Sequence, residues 1–236
     1  MKIGIMQPYF LPYLGYISLI KHTDRFILLD DVQFIRHGWI ERNRILKPNS
    51  GWQYIRVPIC KHSRNTLIKD ILINNEIDWK CKMINQLQYY KKKAPYFYIV
   101  IDILKDVFSK DFNDIVSLNL FALKEINAYL GIEKSIEVFS RMNIKIGQVN
   151  APDEWALNIC QSIGDIHEYW NPPGGKSFFN PSKYDQNNIK LKFHSIQLSE
   201  YNQKQIVFEP GLSIIDVMMF NNVDEINEML DGYTFV

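Results

Sequence analysis

The stretch Met1-Lys-Ile-Gly-Ile-Met-Gln-Pro-Tyr-Phe-Leu-Pro-Tyr-Leu-Gly-Tyr16, with the later run Phe26-Ile-Leu-Leu-Asp-Asp31, decides the fold of this chain. Residues 3–6 form a short apolar run, and residues 14–21 are apolar at helical spacing. The second apolar run, residues 26–29, ends on two carboxylates. Because neither run alternates with polar residues, both are typical of strands that are covered on both faces. The stretch therefore predicts a strand–helix–strand crossover with two parallel strands.

Polar side chains follow both predicted strands at the point where each strand ends. In an open parallel sheet, ligands bind beyond the carboxyl ends of the strands. We therefore expect a ligand site at this edge of the sheet. The polar side chains at the two strand ends are Gln7, Tyr9, Tyr13, Asp30, Asp31 and Gln33.

The rest of the chain predicts a helical block inside an α/β domain. Residues 78–131 have helical apolar spacing and predict three helices, the third with Asn113 as its N-cap and Gly131 as its C-terminal cap. Further patterns predict strands at 52–57, 136–140, 166–170, 189–193 and 205–208, and helices at 152–163 and 214–221. We therefore expect a single α/β domain over residues 1–236, with a mostly parallel, Rossmann-like sheet and a helical insertion at about 78–131.

The composition excludes several classes of partner. A net charge of +1 over 236 residues gives no general attraction to nucleic acid or to an anionic membrane, so any phosphate binding has to be local. Cys60, Cys81 and Cys160 show no CxxC or histidine-paired spacing, which indicates a reducing compartment and core packing. The N-terminus has no charged region before a long apolar stretch, and no run reaches the roughly 18 apolar residues of a membrane span. We therefore expect a cytoplasmic protein.

The acidic pair Asp30-Asp31 has two interpretations. A carboxylate at a strand end can hold a cation, accept hydrogen bonds from ribose hydroxyls or act as a general base toward an amine. Alternatively, one side chain caps the following turn and the other is solvated.

An arginine-dense segment follows the acidic pair. Arg36, Arg42 and Arg44 offer planar guanidinium donors suited to diphosphate or carboxylate, and Trp39 and Asn43 lie between them. A solvated basic loop is the alternative interpretation, because such a density of arginines also occurs by chance.

Two later loops have features of anion-binding turns. Asn171-Pro-Pro-Gly-Gly-Lys176 follows a predicted strand, and its glycines let backbone N–H groups approach an anion beside the charge of Lys176. The Walker spacing is missing, and a generic turn also explains this loop. Glu209-Pro-Gly-Leu-Ser-Ile-Ile-Asp216 presents a helix N-terminus, which is a second anion position. Ser213 and Asp216 also resemble a capping box.

These motifs together resemble the WbqC-like protein family. The matching segments, in the same order along the whole chain, are residues 7–16, residues 29–34, Trp39 with residues 42–44, Asn171 with residues 174–176, and residues 210–216. The resemblance implies a place among genes for O-antigen, lipopolysaccharide and other surface polysaccharides. It also implies a role as a transferase of glycine, or of another amino acid, onto an amino sugar.

The opening of the chain also resembles, more distantly, the nucleotidyltransferases of the HIGH-motif superfamily. In that superfamily, two histidines on the first helix hold the phosphates of a nucleotide, and Tyr13 and Tyr16 stand at those positions here. Because tyrosine is neutral at pH 7, it would stabilise a developing phosphate charge less than an imidazolium does. The likeness supports the fold, and the two tyrosines in place of histidines argue against nucleotidyl transfer.

These observations lead to one hypothesis: an amide-forming transferase that moves an activated amino acid, glycine by the family resemblance, onto the amine of a nucleotide-linked amino sugar. Asp30 or Asp31 is the expected base, and Gln7, Tyr13 or Asn43 would supply the oxyanion donors. The residues expected to bind substrate or nucleotide are Tyr9, Tyr16, Gln33, Arg36, Trp39, Arg42, Arg44, Asn171, Gly174, Gly175, Lys176 and Ser213.

The acyl donor stays open between a free amino acid with ATP, an aminoacyl-tRNA and a carrier protein. If the protein activates the amino acid with ATP, Mg²⁺ is required and the acidic pair is its expected ligand. The five histidines show no metal-ligand spacing. Two alternatives stand beside the transferase: a nucleotidyltransferase acting on a sugar phosphate, and a non-catalytic sugar-nucleotide-binding protein. We expect no nucleic-acid partner other than a charged tRNA, and no membrane span.

Overall fold

The computed structural model describes residues 1–236, and most of its helices and strands lie where the sequence patterns place them. The strands are β1 (Lys2–Met6), β2 (Arg25–Leu28), β3 (Arg42–Leu46), β4 (Trp52–Arg56), β5 (Ile136–Val138), β6 (Glu168–Asn171), β7 (Lys190–Ile196) and β8 (Tyr233–Phe235). The α-helices are α1 (Leu14–His22), α2 (Trp79–Leu87), α3 (Phe97–Ser109), α4 (Ile115–Tyr129), α5 (Glu154–Ile163), α6 (Pro181–Asp185), α7 (Ile214–Phe220) and α8 (Val223–Asp231).

A six-stranded sheet in the order β5-β2-β1-β6-β7-β8 forms the centre of the molecule. The first five strands in this order are parallel, and β8 pairs antiparallel with β7. In the central strand β1, Ile3 lies in register with Arg25 of β2 and Tyr169 of β6. The predicted mostly parallel, Rossmann-like α/β fold is confirmed.

The two faces of β1 belong to two different cores, because successive side chains of a strand point to opposite faces. Ile3 and Ile5 pack with Ile159 of α5 and Cys160 in the smaller core. On the other face Gly4 leaves room for Phe26 and Leu19 of the larger core, which also includes the apolar faces of α2, α3 and α4. The sheet is therefore covered on both sides, as the unbroken apolar strands predict.

The helical block between β4 and β5 consists of α2, α3 and α4. Asp114 rather than Asn113 caps α4, since its side chain accepts a hydrogen bond from the Ser117 N–H at 2.7 Å. Gly131 follows α4 with a φ of +70°, the left-handed conformation that favours glycine at this position. None of the helices has both the length and the apolar character needed to cross a membrane.

Several parts of the fold differ from the sequence prediction. The arginine-dense segment enters a strand, β3, which pairs with β4 as a separate antiparallel hairpin. The predicted strand at 205–208 is wrong: these residues form no strand, and the Ile206 side chain is fully exposed. The reason is that β8 occupies the edge of β7, so this β-branched run has no partner there. The sequence patterns also missed α6, α8 and β8. Of the three cysteines, Cys160 alone is buried, so core packing holds for it but not for the exposed Cys81.

The close packing over Gly4 predicts a cost for any larger residue there. A Cβ atom at Gly4 would lie 2.9 Å from Cδ2 of the buried Phe26 ring, so we expect Gly4→Ala to lower the free energy of unfolding by about 1–3 kcal/mol, measured by urea denaturation. Gly174→Ala is the matched control, because nothing lies within 4 Å of a Cβ atom there. Equal stability of the two variants would contradict the packing constraint.

Candidate functional site

Two adjoining clefts open at the carboxyl edge of β1 and β6. The larger, which we call the neutral cleft, has a volume of about 780 Å³ and is lined by the carboxamides Gln7, Gln33, Asn150 and Asn171 and by apolar and aromatic residues that include Tyr9, Trp155, Tyr169, Phe178 and Phe179. The smaller, which we call the arginine cleft, has a volume of about 390 Å³ and is lined by Tyr13, Trp39, Asn43, Arg44, Leu198 and Gly211 among others. Both clefts include Met6, Tyr9, Pro172 and Gly174, so one ligand can span them.

Backbone contacts explain why the hairpin of β3 and β4 reaches this edge of the sheet. The Phe10 N–H donates to the Trp39 carbonyl at 2.8 Å, and the Asn43 carboxamide donates to the Phe10 carbonyl at 3.1 Å. On the other side, the Ser213 N–H donates to the Arg44 carbonyl at 2.8 Å. The loop after β1, the hairpin and the start of α7 are thus tied together around the arginine cleft.

The neutral cleft contains no side chain that is ionised at pH 7. The Gln7 and Asn150 carboxamides have no partner within the protein, whereas Gln33 donates to the Arg64 carbonyl at 2.7 Å. Asn171 accepts a hydrogen bond from the Tyr169 hydroxyl at 2.9 Å. Free carboxamides both donate and accept hydrogen bonds, and aromatic rings stack on flat or apolar ligand faces. This cleft is suited to an uncharged polar group such as a sugar ring or a base.

Arg44 is the cationic group of the arginine cleft. Its guanidinium carbon lies 5.5 Å from the ring centroid of Trp39 and 5.2 Å from that of Trp52. One terminal nitrogen donates to the Gly211 carbonyl at 3.0 Å, but the buried Nε–H has no partner and no carboxylate pairs with the side chain. A half-buried guanidinium that is stacked, oriented and left with a free donor is suited to a phosphate or carboxylate.

Tyr9, which lines both clefts, and Tyr13, which lines the arginine cleft, supply neutral donors. Burial raises the pKa of both phenols, and for Tyr13 the neighbouring Tyr9 adds to the increase. Neither hydroxyl has a protein partner. Both tyrosines therefore keep their protons at neutral pH and act as hydrogen-bond donors rather than as bases.

The acidic pair lies outside both clefts. Asp30 is buried, and its two oxygens accept the Ser140 N–H at 2.9 Å and the Ser140 hydroxyl at 2.6 Å. Asp31 forms an ion pair with Lys69. Because both carboxylates already have protein partners, the geometry supports neither the expected base nor a Mg²⁺ site made by this pair.

Five further residues that the sequence placed in the site have other positions. Three are structural: Tyr16 donates to the Gln7 carbonyl at 2.8 Å, Ser213 donates to the Leu11 carbonyl at 2.6 Å, and Arg42 donates to the carbonyls of residues 37 and 38 while it stacks on Tyr54. Arg36 lines a separate cleft. Lys176 is exposed outside both clefts.

The loop of residues 171–176 contributes to the two clefts mainly through its backbone conformation. Gly174 lines both clefts, and Gly175 lines the neutral cleft. A Cβ atom at Gly175 would lie 2.3 Å from the Asn171 carboxamide nitrogen, so that position has no room for a side chain. The loop brings Asn171 and Gly174 to the cleft but leaves its lysine in solvent.

Sequence reasoning missed most of the apolar wall. Met6, Trp155, Leu198, Phe178 and Phe179 line the clefts, and the polar Asn150 was missed as well. The one available signal was the aromatic pair at 178–179, which directly follows the glycine-containing loop. The others come from segments with no recognisable motif.

A buried carboxylate, Asp216 of α7, is connected through Tyr90 to β3, the strand that contains Arg44. Asp216 accepts hydrogen bonds from the hydroxyls of Tyr90 and Tyr201, each at 2.5 Å, and from Gln203 at 3.0 Å, so it does not form the capping box expected with Ser213. Tyr90 also accepts the Leu46 N–H at 2.9 Å, which connects β3 to α7. Burial raises the pKa of Asp216 to about 6, although its hydrogen bonds oppose the increase.

Fold and site together define a class: an α/β protein with a two-part ligand cleft at the carboxyl edge of a parallel sheet. The chain belongs to the WbqC-like protein family, whose sequence model matches residues 7–228. It is 30% identical over 223 residues to "Uncharacterized protein Rv1507c" of Mycobacterium tuberculosis (strain ATCC 25618 / H37Rv), with 93% of each chain covered. No solved structure matches the chain.

The contact between Asp30 and Ser140 predicts a structural role for this carboxylate. We expect Ser140→Ala to lower the free energy of unfolding by about 1.5–3 kcal/mol, because it removes a part-buried hydrogen bond to a charged group. When Ser140→Ala is made in the Asp30→Asn variant, it should lower the free energy of unfolding clearly less, since the partner charge is already absent. Asp31→Asn is the control and should cost under about 1 kcal/mol, because its ion pair is partly exposed. Urea denaturation measures all four variants, and additive losses would contradict the pairing.

The raised pKa of Asp216 predicts a pH dependence of stability. The folded pKa of about 6 exceeds the reference value of 3.8, so the folded state binds the proton more tightly and the contribution of this group falls as pH rises from about 4 to about 6. Asp216→Asn removes the titration. The stability of the wild type relative to this variant should therefore decrease by about 2 kcal/mol over that range. Chemical denaturation at several pH values measures the difference, and a constant or increasing difference would refute the assignment.

Proposed function

We propose that the protein binds a nucleotide-linked amino sugar across the two clefts and transfers an activated amino acid to its amine. The observation that carries the proposal is Arg44, a stacked guanidinium with a free buried donor and no carboxylate partner. A diphosphate would supply the missing acceptor. The neutral cleft, with its free carboxamides and aromatic rings, would take the uncharged end of the same molecule.

The transfer step needs little acid–base chemistry from the protein. The unprotonated amine attacks the acyl carbon of the activated amino acid, the C–N bond forms, the bond to the leaving group breaks, and the amine proton passes to the leaving group or to solvent. The Tyr9 and Tyr13 hydroxyls and the Gln7 carboxamide are free donors for the oxyanion. Binding both reactants side by side lowers the barrier by orientation. Family membership supports an enzyme of polysaccharide assembly, and glycine is the proposed acyl group.

A second candidate function is sugar-nucleotide binding without catalysis. One observation favours it: neither cleft contains an aspartate, glutamate, histidine, cysteine, serine or lysine that could act as nucleophile or base. Nucleotidyl transfer on a sugar phosphate has less support. Tyr16, at one of the two positions where the distant superfamily uses histidine, is buried and donates its hydroxyl proton to the Gln7 carbonyl.

Binding tests the role of Arg44. We expect Arg44→Gln to weaken the affinity for a nucleotide-linked amino sugar about 10–100-fold in isothermal titration calorimetry, because a charge-assisted hydrogen bond contributes about 1.5–3 kcal/mol. Arg64→Gln removes the same charge from an exposed side chain that forms no ion pair, so this control should bind like the wild type. Equal losses in the two variants would mean that general charge, not the cleft, holds the ligand.

Turnover separates the two candidate functions. Purified protein is incubated with a panel of nucleotide-linked amino sugars and with glycine plus ATP and Mg²⁺, glycyl-tRNA or a glycyl carrier protein, and products are measured by mass spectrometry. A mass gain of one glycyl residue on the sugar nucleotide supports the transferase. Binding without product from any of the three donors supports the non-catalytic alternative. Release of pyrophosphate from a sugar phosphate and a nucleotide would overturn both.

A further inference from the structure

A separate cleft of about 660 Å³ lies beside the arginine-dense segment. We call it the basic cleft, and its polar lining is Arg36, His37, Glu41, Arg56, Lys61 and His62. The segment of residues 33–36 lies between the basic cleft and the neutral cleft. Gln33 and Ile35 line the neutral cleft, whereas Phe34 and Arg36 line the basic cleft. No step of the proposed transfer uses it.

Glu41 is the unusual group in the basic cleft. The residue is 6% exposed, and its buried Oε2 has no hydrogen-bond partner. The residue forms no ion pair, although its backbone carbonyl accepts the Val57 N–H at 2.8 Å and so fixes its position beside the end of β4. Burying a carboxylate without a partner costs free energy, and buried polar groups are nearly always satisfied. The unpaired oxygen therefore indicates a missing hydrogen-bond donor.

The opposite charge is present at the mouth of the same cleft. Arg36, Arg56 and Lys61 line it, are exposed, and form neither ion pairs nor side-chain hydrogen bonds within the protein. Although three cations share the cleft with Glu41, none forms an ion pair with it. The arrangement thus leaves a buried negative end and a positive rim, each without a partner.

We propose that the basic cleft binds a small phosphorylated primary amine, with the ammonium group at Glu41 and the phosphate at Arg36, Arg56 and Lys61. An ammonium group supplies the donors that Oε2 lacks, and a phosphate suits guanidinium groups. Three cations against one carboxylate favour a ligand of net negative charge, which selects a phosphorylated amine over a simple amino acid. The cleft volume lies within the range of small-molecule sites.

Matched sugar phosphates test this site directly. The probes are glucosamine 6-phosphate, N-acetylglucosamine 6-phosphate, which lacks the ammonium group, and glucosamine, which lacks the phosphate. In calorimetric titrations of the full chain, we expect glucosamine 6-phosphate to bind at least about tenfold more tightly than either of the others. Equal affinity for the acetylated and free amines would overturn the proposal, as would no binding of glucosamine 6-phosphate.

Two substitutions assign the binding to this cleft. Glu41→Gln should abolish the preference for the free amine while it preserves or raises the melting temperature, because an unpaired buried charge is removed. Arg36→Gln, at an exposed position, should weaken both phosphorylated probes and leave folding intact. If Glu41→Gln still prefers glucosamine 6-phosphate over the acetylated probe, the ligand binds elsewhere and the site is refuted. Loss of that preference in Arg44→Gln instead would assign the ligand to the arginine cleft. These outcomes do not depend on the proposed transferase activity.

Discussion

The parallel pairing of β1 with β6 is the constraint on which the candidate site depends. It brings Met6 and Asn171, residues far apart in the chain, to one edge of the sheet, where both line the neutral cleft. The loops that continue from these two strands supply the residues common to both clefts. Strand pairing is fixed by backbone hydrogen bonds and by burial on both faces, so the floor of the site is as rigid as the core beneath it.

A second set of buried polar contacts holds Arg44 in place. Asn43 is bonded to the loop after β1, and the Tyr90–Asp216 contact connects β3 to α7 across the core. A buried polar network stabilises a protein only when every member has a hydrogen-bond partner. The polar groups of this network all have one. The hairpin is thus a rigid support for Arg44, although it belongs to a separate sheet and not to the central one.

The exceptions to polar pairing are informative because they are rare. Of the few buried side-chain atoms without a partner, Arg44 Nε and Glu41 Oε2 lie close together in the chain yet line different clefts. The unpaired guanidinium donor calls for an anionic ligand group, and the unpaired carboxylate oxygen calls for a hydrogen-bond donor such as an ammonium group. The same short segment, residues 41–44, therefore contributes to two proposed recognition sites.

The sequence by itself determined the parallel strands, the helical block and the edge where ligand groups gather, because apolar periodicity and strand ends are local properties. It predicted Gln7, Tyr9, Tyr13, Asn43, Arg44 and Asn171 at that edge, and the structure places all of them in the clefts. Only the tertiary structure decided which polar groups stay free. Ser140 and Lys69 engage the acidic pair, the carbonyls of residues 37 and 38 engage Arg42, and β8 rather than residues 205–208 takes the sheet edge. These outcomes depend on partners distant in the chain, and no local pattern encodes such partners.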